Sequence, residues 1–170
     1  AHGVPIFCVS IALAVKDQLA LGVIYDPMLD EMFTASLDHG AYLNGSPLHV
    51  SPTDSLQDSF LVTGFPYDVR ENPCNCIEKF TEIMSRGIPV RRLGSAALDL
   101  AYTAAGRFDG FWEVHLQPWD MAAGVVMVRE AGGSVSQYRN ADFLVDAESI
   151  VATNGHIHDE LVELLERIDT

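Results

Sequence analysis

The chain has 170 residues, 48% of them hydrophobic and 20% charged, a composition that argues against a disordered or fibrous protein and suffices for one sizeable domain or two small ones. Ten Lys and Arg stand against 24 Asp and Glu, a formal net charge of −14, which argues against nucleic-acid backbones and anionic membranes as main partners. Small anionic ligands stay open, because a local site assisted by metal ions holds them whatever the net charge.

In chain order, residues 7–15 and 19–25 read as strands around a polar turn at Lys16-Asp17-Gln18. A third strand follows at 31–35, a fourth at 41–43, and Asn44-Gly45 signals a hairpin before 48–50. Residues 6–50 therefore predict an antiparallel meander. From there the pattern alternates. Residues 60–63 read as a strand, and Asn72-Pro73 opens a helix with Ile77, Phe80, Ile83 and Met84 on its apolar face and Gly87 at its end. A strand at 90–93 leads to a helix capped by Ser95 and ended by Gly106. A strand at 110–114 leads to a helix over about 119–131, stopped by Gly132-Gly133. Strands at 134–137 and 150–153 precede a last helix striped by Ile157, Leu161, Leu164, Leu165 and Ile168. The longest apolar runs, such as 11–15 and 122–128, are too short to cross a bilayer. The pattern predicts a layered α/β protein with a composition shift near 51–59.

Cys8, Cys74 and Cys76 make a poor disulfide framework and lack further ligands at metal-binding spacing, so they read as free thiols of a reducing compartment. No secretory pattern is seen in 1–5.

Three features carry candidate chemistry. Gly94-Ser95-Ala96-Ala97 stands between a strand and a helix, where small residues let a phosphate approach free N–H groups; packing alone explains such a turn equally well. Glu113 and Asp120 flank Pro118-Trp119, at a strand end and a helix start, where two carboxylates can face one cleft and hold Mg²⁺; Asp120 could instead serve only as a helix cap. His115, His156 and His158 read as solvated or capping histidines, with His156 and His158 two apart on a helix. No G-x-S-x-G occurs, so nucleophilic hydrolysis has no support.

Taken together, Gly94-Ser95-Ala96-Ala97-Leu98-Asp99-Leu100, Phe111-Trp112-Glu113, Trp119-Asp120-Met121-Ala122-Ala123-Gly124 and Glu130-Ala131-Gly132-Gly133 resemble the inositol monophosphatase family, in its bacterial form. Val9-Ser10-Ile11-Ala12, Gly22-Val23-Ile24-Tyr25-Asp26-Pro27, Gly40-Ala41-Tyr42-Leu43-Asn44-Gly45 and Ala152-Thr153-Asn154-Gly155 extend the resemblance over the whole chain. It implies a layered α/β/α/β sandwich and Mg²⁺-dependent hydrolysis of inositol monophosphate by a metal-activated water. Residue by residue, it implies that Asp120 is catalytic, ligates the metal and touches the inositol ring. It further implies that Glu113 hydrogen-bonds substrate hydroxyls and that Gly94, Ser95 and Ala96 line the substrate pocket. The implied partner is a small phosphorylated polyol, with no nucleic acid and no membrane, and the implied state is a cytoplasmic homodimer. Alternatives are a phosphatase for fructose 1,6-bisphosphate or 3′-phosphoadenosine nucleotides, or a non-catalytic binding protein on this fold.

The chain departs from the family in one respect. The first signature, D-P-x-D-G-T-x-N-F, and the upstream acidic G-E-E do not occur in it, and His2-Gly3-Val4-Pro5 are similar to the residues that follow that signature. The resemblance therefore implies an N-terminally incomplete enzyme. Residues 1–57 are then the remainder of an antiparallel-sheet subdomain and 58–170 a C-terminal α/β subdomain. As given, the chain should be inactive for want of most metal ligands.

Overall fold

The computed structural model describes residues 2–168. Five strands, β1 (Val9–Val15), β2 (Gln18–Asp26), β3 (Glu31–Ser36), β4 (Ala41–Leu43) and β5 (Ser46–Pro47), form an antiparallel sheet in sequence order. Its turns are local chemistry. Lys16 and Asp17 close the first hairpin at φ 50° and 64°, and Asn44 and Gly45 close the last at 49° and 82°, the paired left-handed conformation of a two-residue hairpin. Asn44 also accepts the Met32 N–H at 2.8 Å and donates to the Asp30 carbonyl at 3.0 Å. The expected strand at 48–50 does not form: β5 ends at Pro47, and only one more ladder bond follows, Leu48 N–H to the Ala41 carbonyl at 2.8 Å. The chain instead turns away, and Val50 N–H bonds to the Ala131 carbonyl.

A second, mixed sheet has the order β7-β6-β8-β10-β9. Here β6 (Leu61–Thr63) runs parallel to both β7 (Val90–Arg91) and β8 (Gly110–Val114), while β10 (Ser149–Thr153) is antiparallel to β8 and to β9 (Ser134–Ser136). The helices are α1 (Cys76–Ser85), α2 (Ala96–Ala104), α3 (Pro118–Glu130) and α4 (His158–Glu166). Alternation along the strands assigns the layers. Val62, Phe111, Ile150 and Ala152 join Ile24, Phe33 and Ala35 of the first sheet in one core with α2 and α3. Leu61, Trp112 and Val151 point the other way, into a second core with Ile83, Ile88, Ile157, Leu161 and Leu165. The order α1 and α4, sheet, α2 and α3, sheet is the expected α/β/α/β sandwich. The 57/58 division falls in the single 3-10 turn Leu56–Asp58 between the two sheets.

Gly22 makes this layering possible. A Cβ there would overlap the Ala123 backbone, so β2 lies directly on α3 only because the position is glycine. The opposite face of the first sheet is open: Val9, Ile11, Leu13, Val15, Leu21, Met32 and Tyr42 are all exposed.

Two further expectations differ from the structure. The first helix starts at Cys76, after a 3-10 turn in which Asn72, Cys74 and Asn75 have positive φ, and it buries Cys76, Lys79 and Ile83. Ile77 and Met84 are 43% and 45% exposed. Each lies one residue, and so about 100°, beyond Cys76 and Ile83, which take the inward face. His158 is not solvated. It is buried at the start of α4, with Nδ1 3.0 Å from Thr153 Oγ1 and Nε2 2.9 Å from Ser136 Oγ, while His156 precedes the helix and is exposed. None of the three cysteines forms a disulfide, and no helix among the described residues is long and apolar enough to cross a membrane.

Candidate active site

The three parallel strands of the second sheet end on the same side, and ligands of α/β sheets bind at such ends. Beyond β6 the chain runs through 64–67, beyond β7 through 92–95 into α2, and beyond β8 through 115–117 into α3. These segments, with 6–8 and Ser10 at the start of β1, enclose a cavity of about 630 Å³ lined by Gly94, Ser95, Ala96, Glu113 and Asp120. The five residues that the resemblance assigns to the site thus line one cleft, with His115 beside them, while His156 and His158 lie outside it.

Glu113 is the penultimate residue of β8, with its neighbours Trp112 and Val114 buried. Its carboxylate packs on the backbone of Gly64, where a Cβ would overlap it. Burial first, then the charge of Asp120, pushes Glu113 up to about 7, and Arg92 partly offsets this. Asp120 is the third residue of α3 and half-buried. Its Oδ2 accepts the Gln117 N–H at 3.0 Å, so it does cap its helix, with one oxygen. The other oxygen is outside that bond.

Gly94 turns the chain at φ 93°. Ser95 stands at the cap position of α2 in an extended conformation, yet its hydroxyl makes no capping bond and lies 3.6 Å from Cys8 Sγ instead. The first N–H groups of α2 are therefore left to whatever enters the cleft, at the positive end of the helix. Arg92 stacks with its guanidinium carbon 4.5 Å from the Phe65 ring centroid at the cleft wall. His115, at φ 57°, is exposed and pairs through Nδ1 with Asp68 Oδ2 at 3.1 Å. The cavity thus presents both N–H groups that favour anions and carboxylates that accept hydrogen bonds.

Read from the sequence, Asp99 is an acidic residue inside a helix and no part of the expected site. It sits in the first turn of α2, is 1% exposed, lines the same cavity, and neither carboxyl oxygen has a hydrogen-bond partner. Burial, and then Glu113, raises it to about 8. A signal did exist: an acidic residue between Leu98 and Leu100 in a helix whose other central positions are all small or apolar. Arg92 and Gly64 carried no such signal. Asp109, also buried, is structural: its carboxylate accepts the Phe60 N–H and the Ser51 hydroxyl. Among the described residues no three His, Cys, Asp or Glu gather as a metal cluster.

This sandwich, with a cleft at strand ends between two helix N-termini, matches known proteins. The family model of the inositol monophosphatase family fits residues 1–170. An inositol-1-monophosphatase of Synechocystis is 48% identical over 165 residues, 97% of this chain and 58% of that protein. The Nus factor SuhB of Pseudomonas aeruginosa is 46% identical over 155 residues, 90% of this chain and 57% of that protein. The solved structure of an inositol monophosphatase from Anabaena (Nostoc) superposes with a TM-score of 0.89 at 45% identity, covering 96% of this chain and 65% of that one. The chain belongs to the inositol monophosphatase family, and it spans less than two thirds of the length of these relatives.

Proposed function

We propose that the protein is a phosphomonoester hydrolase acting on inositol monophosphate. The observation that carries this reading is the convergence of Glu113, Asp120 and the uncapped turn at Gly94, Ser95 and Ala96 on one cavity. The free N–H groups of α2 hold the phosphate, aided by the helix dipole. Glu113 accepts hydrogen bonds from the polyol hydroxyls, and Gly64 lets its carboxylate lie flat against the cleft wall. The buried strand ends shield these contacts from water, which strengthens them.

The ion we assign to the chemistry is Mg²⁺, which takes oxygen ligands, keeps waters and recruits substrate phosphate. Asp120 is the ligand this chain contributes, through the oxygen outside its cap bond. Without a gathered third ligand the described residues do not by themselves fit a Mg²⁺ cage. Residues 1–170 alone should accordingly be inactive. Three thiols outside any disulfide and a formal net charge of −14 accord with a cytoplasmic enzyme that does not bind nucleic acid, and a homodimer completes the reading.

The test is phosphate release from inositol 1-phosphate, fructose 1,6-bisphosphate and a 3′-phosphoadenosine nucleotide, with Mg²⁺ or with chelator. Release from inositol 1-phosphate that needs Mg²⁺ is expected, with the other two slower. No release from any of them by the intact protein would leave the binding-protein reading, which the non-phosphatase name of the Pseudomonas relative also motivates.

A further inference from the structure

Asp99 has no role in the reading given so far, and its placement is costly. Its carboxyl is 1% exposed, and neither oxygen meets a donor from any described residue. Its surroundings in α2 are Ala97, Leu98, Leu100 and Ala101, all buried and unable to hydrogen-bond through their side chains. The charged group that acts on it is acidic: Glu113 of β8, which lines the same cavity. A buried polar group is normally satisfied, and an orphan of this kind asks for a missing partner. If only volume were needed, a leucine or alanine would fill the place without desolvating a carboxyl.

The cavity supplies the direction. Asp99 lies in its wall with Glu113, in the same first turn of α2 whose N–H groups open on the cavity. We propose that Asp99 is a second specificity-determining contact, which takes a hydroxyl of a polyol phosphate from beneath while Glu113 takes its neighbour. The proposal rests on the polyol-phosphate reading above and deepens it: two carboxyls side by side select an alcohol half bearing adjacent hydroxyls over one bearing none. In the free protein the Asp99 oxygens are closed to water, so the contact forms when its side chain rotates towards the seated ligand. The raised proton affinity of both carboxyls is consistent with this pairing, since a partly protonated pair both donates and accepts.

The experiment compares the intact protein with its Asp99→Asn and Asp99→Ala variants on two substrates: inositol 1-phosphate, and p-nitrophenyl phosphate, which has no hydroxyls. The readout is the selectivity ratio, kcat/KM for the first over kcat/KM for the second. Asp99→Ala should lower that ratio about tenfold, the loss appearing as a raised KM for inositol 1-phosphate, because a site built for a hydroxyl is left incomplete. Asp99→Asn, which keeps the shape, one donor and one acceptor, should recover most of it. Melting curves show whether each variant is folded, and Asp99→Leu, which keeps the volume without a polar atom and should lower the ratio likewise, carries the test if Asp99→Ala is not. An unchanged ratio in folded Asp99→Ala or Asp99→Leu, or equal losses on both substrates, overturns the proposal. If wild type releases phosphate from neither substrate, the hydrolase reading fails separately. Calorimetric titration with myo-inositol then decides for Asp99: weaker binding to the variant supports the contact, and equal or absent binding refutes it.

Discussion

Asp120 divides its carboxylate between a helix cap and the cleft it lines. One oxygen closes the first turn of α3, and the second is left for the cleft. Asp120→Asn keeps the capping acceptor and removes the charge. Turnover should fall by about a hundredfold or more, while the metal-free protein keeps its stability or gains up to about 1 kcal/mol from relieved repulsion. Phosphate release and chemical denaturation in chelator check the two halves. Gly64→Ala acts on the neighbouring carboxylate. The added methyl overlaps Glu113 and displaces it, so KM for inositol 1-phosphate should rise about tenfold in a protein that still folds. Asp99 gives a pH signature in metal-free protein. Its folded value of about 8 lies above the unfolded value near 3.9, so its contribution is fully present below about pH 4 and is lost as pH rises through about 8. Asp99→Asn should therefore stabilise the protein at pH 9 by on the order of 2 kcal/mol and have little effect at pH 4, as denaturation at the two pH values would show.

Among elements, the start of α4 depends on a directed hydrogen-bond chain. Ser136 Oγ donates to the Gln137 carbonyl, so His158 Nε2–H donates to Ser136 Oγ, and His158 Nδ1 accepts the Thr153 hydroxyl, whose oxygen accepts the Gly155 N–H. The chain is complete only with a neutral imidazole, and burial lowers the His158 pKa. The unfolded state then binds the proton more readily. Stability is full above about pH 6.5 and is lost as pH falls from there through the lower folded value. Melting curves between pH 7.5 and pH 5 should show this loss, and His158→Gln should flatten it while costing about 1–2 kcal/mol at pH 7.5. A neutral-pH cost with unchanged acid sensitivity would place the titration elsewhere.

At the scale of the whole molecule, the open face of the first sheet is the feature that stands apart. The exposed face of β1 carries Val9, Ile11, Leu13 and Val15, continued across the sheet by Leu21, Met32 and Tyr42. In the strand order β1 is an edge, and Val9–Val15 holds no charged residue and no proline to discourage another strand. Residues 1–170 on their own should therefore self-associate through this surface, copy against copy, despite a net charge of −14. Sedimentation velocity at micromolar concentration should show species larger than a monomer, and the Ile11→Glu, Leu13→Glu double variant should return them to monomer. A monomeric wild-type chain would show that the face tolerates water.

Much of this fold is written in local chemistry. The strands at 41–43 and 110–114 match their predicted bounds, and α2 and α3 differ from theirs by no more than a residue or two, because glycine turns, proline and uninterrupted apolar runs act within a few positions. Glu113 and Asp120 were legible for the same reason, each sitting at a junction of strand and helix. What failed depended on distant partners. Residues 48–50 leave the sheet for the end of α3, the phase of α1 follows the second core, and His158 is buried because Ser136 and Thr153 meet it from other strands. Asp99 is the sharpest case. Its sequence neighbourhood describes an ordinary helix, and only the packing of α2 against β8 places its carboxyl in the wall of the cleft, since burial and the approach of Glu113 arise between segments rather than within one.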